Sequence, residues 1–359
     1  MTQSLNGLLF KIRFPLLLFG VLSLILGIWG GLQRTGWSLP GTKMNLILLH
    51  GPLMVCGFLG TVIGMERAVA QNRFWYYLAP FFTGLGAILL LIGIGFNLPH
   101  VFISIGSFVL ILNFAVVLQK HPSMHMAVMG TGALLFFIGN IFWLAGFPVF
   151  NVVLWWAGFL ILTIAGERLE LSRILQPPKS VKVMFLIFNI VLVTGIIIAT
   201  FKFEPGMKLA GAGMLLLSLW LLRHDLARKS IKQAGLPKFI ALALIIGYVW
   251  LGIAGILALV WGDMAAGPFY DAILHSVFLG FVFSMIFGHA PIIFPAILNV
   301  KMEFTNRFYV HLFLLHAALL FRTISDISGW IEGRLWGSMF NGIAILIFFL
   351  NTVSSKRKK

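Results

Sequence analysis

The sequence predicts an all-α polytopic membrane protein of about twelve transmembrane helices, and three observations carry that expectation. The 359 residues are 60% hydrophobic and only 10% charged, with a mean hydropathy of +1.01. The apolar residues gather into twelve runs of roughly 20, the length a helix rising about 1.5 Å per residue needs to cross a hydrocarbon core of about 30 Å. The cations fall in alternate connections between those runs. A soluble domain is about 25% charged, so the soluble globular, disordered, collagenous and disulfide-rich secreted classes are excluded. A single cysteine, Cys56, allows neither an internal disulfide nor a cysteine-based zinc cluster.

Taken in order, the expected helices begin with Phe14–Leu32, which lacks a small-residue cleavage site and reads as a span rather than a signal peptide. Leu46–Arg67 and Trp75–Phe96 follow; the short connection Asn97–His100 then leads into Val101–Gln119. Met126–Phe147 and Asn151–Arg168 are joined by Pro148–Phe150, and Val183–Phe201 and Met207–Leu222 come next. Phe239–Trp261, Tyr270–Leu298, Tyr309–Asp326 and Leu335–Val353 complete the set. Backbone polar groups cannot stay bare in lipid, so helices are expected rather than strands. Pro291 and Pro295 remove donors from the tenth run, which is expected to kink or lose its regular ladder there. The longest polar connections are Leu169–Lys182 and Arg223–Lys238, so residues 1–359 read as a single transmembrane domain with no soluble domain.

The net charge of +16 follows the same plan. With both termini cytoplasmic, the outer side holds six cations, Arg34, Lys43, Lys202, Lys208, Arg322 and Arg334, leaving 20 of the 26 on the cytoplasmic side. The basic tail Lys356, Arg357, Lys358 and Lys359 serves as a topology anchor, and the expected partner is the lipid bilayer, not nucleic acid. A bacterial inner membrane is the expected location.

Ionisable groups at membrane depth are costly and therefore informative. His50 stands four residues after Leu46 and His275 five after Tyr270, on helices of the same direction, about 6–8 Å below the outer boundary. Two imidazoles at matched depth can hold a haem iron from both faces; the alternative is a pair of core histidines, each satisfied by a local hydrogen bond. Gly51, Gly57, Gly60 and Gly64 flatten one face of the second helix, and Gly280 follows His275, for a neighbouring helix or for a porphyrin. Arg322 near the outer end of the eleventh helix suits either haem propionates or an ion pair with Asp326. A second layer lies at the cytoplasmic end: Gly64-Met65-Glu66-Arg67 and Ala165-Gly166-Glu167-Arg168 match at a spacing of 101 residues, which suggests a repeat of about four helices. Its charges read as scaffold. His289 lies 14 residues beyond His275, about 21 Å deeper, so it cannot share the same iron. His289 with His316 or His125 forms either a second metal site, a proton path, or a group of satisfied core histidines. There is no Walker A loop, no GxGxxG, no HExxH and no CxxCH haem attachment, so any haem here is non-covalent and of b type.

Twelve helices with matched outer histidines on the second and tenth resemble the catalytic subunit of the haem-copper oxidase superfamily, and His50-Gly51-Pro52-Leu53-Met54 looks like its HGxxM element. That resemblance implies a low-spin haem between the two helices, propionates near the Arg322–Arg334 region, and a pseudo-threefold plan of four-helix repeats. Its copper ligands lie on the sixth and seventh helices, where this sequence has no histidine, so dioxygen reduction at a haem-copper centre is not expected. A closer resemblance is to the NnrS family of haem- and copper-containing membrane proteins linked to nitric oxide. It rests on Gly247-Tyr248-Val249-Trp250-Leu251-Gly252, on Asp271-Ala272-Ile273-Leu274-His275-Ser276-Val277-Phe278-Leu279-Gly280, and on Ala317-Ala318-Leu319-Leu320-Phe321-Arg322. It covers the last third of the chain and the His50 helix, and it implies haem b, a redox role in nitric oxide or respiratory metabolism, and a quinone or cytochrome as electron donor. Copper is left open, because the fuller HxHEM-like element is reduced here to His50 with Met54. A haem-free transporter with a buried Glu and His path is the rival expectation.

Overall fold

A computed structural model describes residues 2–41, 44–95 and 97–355, with side chains from residue 9 onward. Lys43, the tail Lys356, Arg357, Lys358 and Lys359, and Phe96 at the expected end of the third helix lie outside the described residues. Among the described residues the structure is helical with no strand, and twelve helices are long and apolar enough to cross a membrane. They are α1 (Thr2–Thr35), α2 (Leu46–Gln71), α3 (Phe74–Ile92), α4 (Leu98–Lys120), α5 (Met124–Leu144), α6 (Val149–Leu175), α7 (Lys179–Phe201), α8 (Phe203–His224), α9 (Leu236–Trp261), α10 (Pro268–Leu298), α11 (Phe308–Ser328) and α12 (Ile331–Ser354). Each expected run is recovered, mostly extended by a few residues into its polar flanks, where hydropathy alone cannot see a helix continue.

The chain divides into two compact units. The first comprises Met1–Phe159 and Ile293–Val300. Near one end of it, Leu9, Leu16, Met65, Ala68, Tyr76, Tyr77 and Ile297 form an apolar cluster. Arg13 enters that cluster by donating to the Tyr77 hydroxyl at 3.0 Å and to the Ile297 carbonyl at 3.1 Å, so its charge is spread over two acceptors while its stem lies among apolar groups. The α2 glycines meet neighbouring helices: Gly57 faces Ser23 and Ala87, Gly60 the Phe136 ring, and Gly64 Pro80. Close helix packing thus accounts for them.

The second unit comprises Leu160–Ile292 and Lys301–Lys359. Its centre is aromatic: His311 is fully buried among Phe239, Phe287, Phe308 and Phe348, with Nδ1 3.1 Å from Asn351 Nδ2. The expected irregularity of α10 is found in a different place. Ser284–Leu298 is a continuous α-helix through Pro291 and Pro295, whereas the stretch before it, Ser276–Phe283, is a π-helix. A membrane helix tolerates proline where packing re-satisfies the one lost backbone bond.

Candidate functional site

His50 and His275 are built alike, each within its own unit. α2 starts on Asn45, whose side chain accepts from the Leu48 N–H, and His50 lies in its first turns. The His50 Nδ1 is 2.7 Å from the Gly27 carbonyl of α1. A carbonyl only accepts, so Nδ1 carries a proton and donates. Gly31 makes room for the imidazole: a Cβ there would stand 2.8 Å from Cε1 and 2.9 Å from Nδ1 of His50. In α10 the chain turns at Gly267, with φ +89°, and enters the helix through Pro268, so His275 lies seven residues in. His275 was expected five residues in; the earlier start at Pro268 puts it deeper within its own helix. Its Nδ1 donates to the Asp271 carbonyl at 3.0 Å and lies 3.3 Å from Asp271 Oδ1.

Each histidine is followed by a π-helical run, Leu53–Leu59 after His50 and Ser276–Phe283 after His275. Such runs make up well under 1% of residues, are usually single turns, and occur often at functional sites. Hydropathy carries no sign of them. The flat face at Gly280 is covered by Trp250, whose ring would collide with any Cβ at that position. At this glycine a neighbouring helix occupies the space, as at the α2 glycines.

Arg322 is buried, and its Nη2 donates to Asp271 Oδ2 at 2.6 Å. Arg334, from α12, takes the other acid: its Nε lies 3.0 Å from Asp326 Oδ1, and its Nη2 3.7 Å from Asp271 Oδ1. The ion pair considered for Arg322 with Asp326 is therefore replaced by Arg322–Asp271, and the helix bearing His275 is tied to the C-terminal part of α11 and the N-terminal turn of α12. Two carboxylates thus face two guanidiniums, with Asp271, Arg322 and Asp326 buried and Arg334 partly exposed, and opposite charges offset the cost of burial. Asp271 was missed as a site residue, and Arg334 entered only through the Arg322–Arg334 region that the resemblance implied. The signal for Asp271 was its position four residues before His275, one turn below on the same face.

The second-layer histidines have separate partners. His316 Nε2 is 3.1 Å from Ser284 Oγ, and its ring lies parallel to that of Trp250. His289 donates from Nδ1 to the Met285 carbonyl at 2.8 Å, and its Nε2 is 3.5 Å from Arg168 Nη1. His125 Nε2 meets Ser123 Oγ at 3.3 Å. Among the described residues no three His, Cys, Asp or Glu side chains converge as a metal-ion site. A haem iron, however, needs only two axial imidazoles. The two matched tetrads also differ: Arg67 pairs with its neighbour Glu66 at 3.4 Å, whereas Arg168 makes a two-pronged pair with buried Asp225 at 2.9 and 3.1 Å. Asp225 also accepts from the Ala227 N–H at 2.7 Å, capping the turn of the connection after α8.

A family model matches residues 13–357, nearly the whole chain including every helix. The chain belongs to DUF8744, a family described as a domain of unknown function. No curated protein matches. The DUF8744 match names neither reaction nor ligand, so function is argued from the site. The residue type suits a haem: a histidine whose Nδ1 is held by a hydrogen bond is the usual iron ligand, through its other ring nitrogen.

Proposed function

We propose that this is a haem b-binding protein of a bacterial inner membrane, with both termini cytoplasmic, in which His50 and His275 are the axial ligands and the haem lies toward the outer face. The observation that carries the reading is the shared construction of the two histidines: Nδ1 on a backbone carbonyl, early in a spanning helix, just ahead of a π-helical run. A haem held at both axial positions supplies one-electron transfer. The protein's own part is to fix ring orientation through Gly27 and Asp271 and to set the local charge through Arg322 and Arg334. The resemblance to NnrS supports a redox role in nitric oxide or respiratory metabolism, with a quinone or cytochrome as donor, and the absence of histidine from α6 and α7 argues against dioxygen reduction. The reading carries one haem and no copper beside it. Pyridine haemochrome analysis and metal analysis of the purified protein test it: about one haem b per chain supports it, and a haem-free protein refutes it.

One observation favours a second reading. Interrupted helices with buried charge also mark transporters, and α2 and α10 both lose the α pattern within the span. A haem-free preparation that carries a solute across liposomes would favour that reading.

A further inference from the structure

Beyond the histidines, the second unit bears a groove of about 590 Å³ at the end where its cations cluster. Gln233, Lys238, Asn306 and Tyr309 form the polar rim, and Leu242 and Phe313 form the apolar wall. Lys238 lies two residues into α9, while Leu242 lies six residues in and Phe313 five residues into α11. The groove therefore runs from the water-facing edge about 8 Å into the hydrocarbon zone. Its wall is preformed: Tyr309 packs edge-on against buried Phe239 at 5.3 Å and parallel to Phe313 at 6.3 Å, and Phe313 is 55% exposed. A tyrosine at this height sits where aromatic side chains prefer the interface. Charge in the sequence flanking the rim is mostly positive. Residues 226–238 carry Arg228, Lys229, Lys232 and Lys238 with no acid, and Arg307 adjoins Asn306, against the single acid Glu303. Among the described residues Lys238 has no ion-pair partner.

We infer that the groove binds one anionic phospholipid, its phosphate at Lys238 and the Gln233–Asn306 rim and an acyl chain along Leu242 and Phe313. A groove that is cationic at the interface and apolar within the bilayer matches both halves of that molecule. Charge complementarity favours it over a zwitterionic lipid, and the open form of the groove favours it over a quinone ring. The inference stands apart from haem binding and survives its failure.

Native mass spectrometry of the full chain in detergent, titrated with dioleoyl phosphatidylglycerol or dioleoyl phosphatidylcholine, tests it. Phosphatidylglycerol is expected to bind first and more tightly. Lys238→Gln is expected to weaken it roughly fivefold, the effect of one interfacial cation, and to leave phosphatidylcholine unchanged. Phe313→Ser is expected to weaken both lipids. Lys229→Gln, an exposed cation outside the groove, is expected to have little effect. Equal losses for Lys229→Gln and Lys238→Gln would show diffuse attraction and overturn the proposal. So would equal binding of the two lipids, or displacement of phosphatidylglycerol by a ubiquinone whose own binding ignores Lys238→Gln.

Discussion

Arg322 Nη2 stands 2.6 Å from Asp271 Oδ2, and the same aspartate accepts from His275 through its backbone carbonyl. The charge on α11 is thereby coupled to the orientation of an imidazole on α10. A change at either charge is expected to reach the histidine without touching it.

Arg322→Gln removes a cation near the proposed haem and leaves Asp271 with Arg334 at 3.7 Å as its remaining cationic contact. The midpoint potential is expected to fall, because a nearby cation favours the reduced form, and stability is expected to drop by about 3–5 kcal/mol, as for other broken buried pairs. Asp271→Asn is expected to raise the potential. Redox titration of both variants checks the opposite signs; shifts in the same direction would contradict the arrangement.

Gly31→Ala puts a methyl group where the His50 ring lies. The ring must shift, at a cost of about 1–3 kcal/mol as in other overpacked cores. The low-spin electron paramagnetic resonance signal of the haem is expected to change its g-values, whereas Gly41→Ala, where the same methyl group meets nothing within 4 Å, should leave them unchanged.

The two Glu-Arg tetrads are expected to behave differently despite their matching sequences. Asp225→Asn strips a buried partner from Arg168 and is expected to cost about 3–5 kcal/mol, which the double change Arg168→Met with Asp225→Leu largely recovers. Glu66→Gln touches a partly exposed pair and is expected to cost about 1 kcal/mol or less. Thermal unfolding in detergent distinguishes them. Loss of haem reduction kinetics with stability intact would show that this layer moves protons rather than holding helices.

The twelve spans were legible because a membrane helix writes its length into an apolar run, as Val101–Gln119 does within Leu98–Lys120. His50 and His275 were legible because an imidazole in such a run is costly. The partners were not. Asp225 sits in a basic connection and meets Arg168, 57 residues away, through tertiary packing that no local spacing encodes. The π-helical runs depend on which carbonyl each amide selects, and side-chain hydropathy is silent about that choice. Pro291 misled in the opposite sense: its missing donor predicted a kink or an end to the regular ladder, and the α-helical ladder continues through it.

The proposal that His50 and His275 ligate one haem is tested most directly by the optical spectrum of reduced protein purified as wild type, His50→Ala and His275→Ala. The wild type is expected to show one low-spin haem b per chain, and each variant is expected to lose the haem or convert it to high-spin. Low-spin spectra unchanged in both variants, or a wild type without haem, would contradict the account.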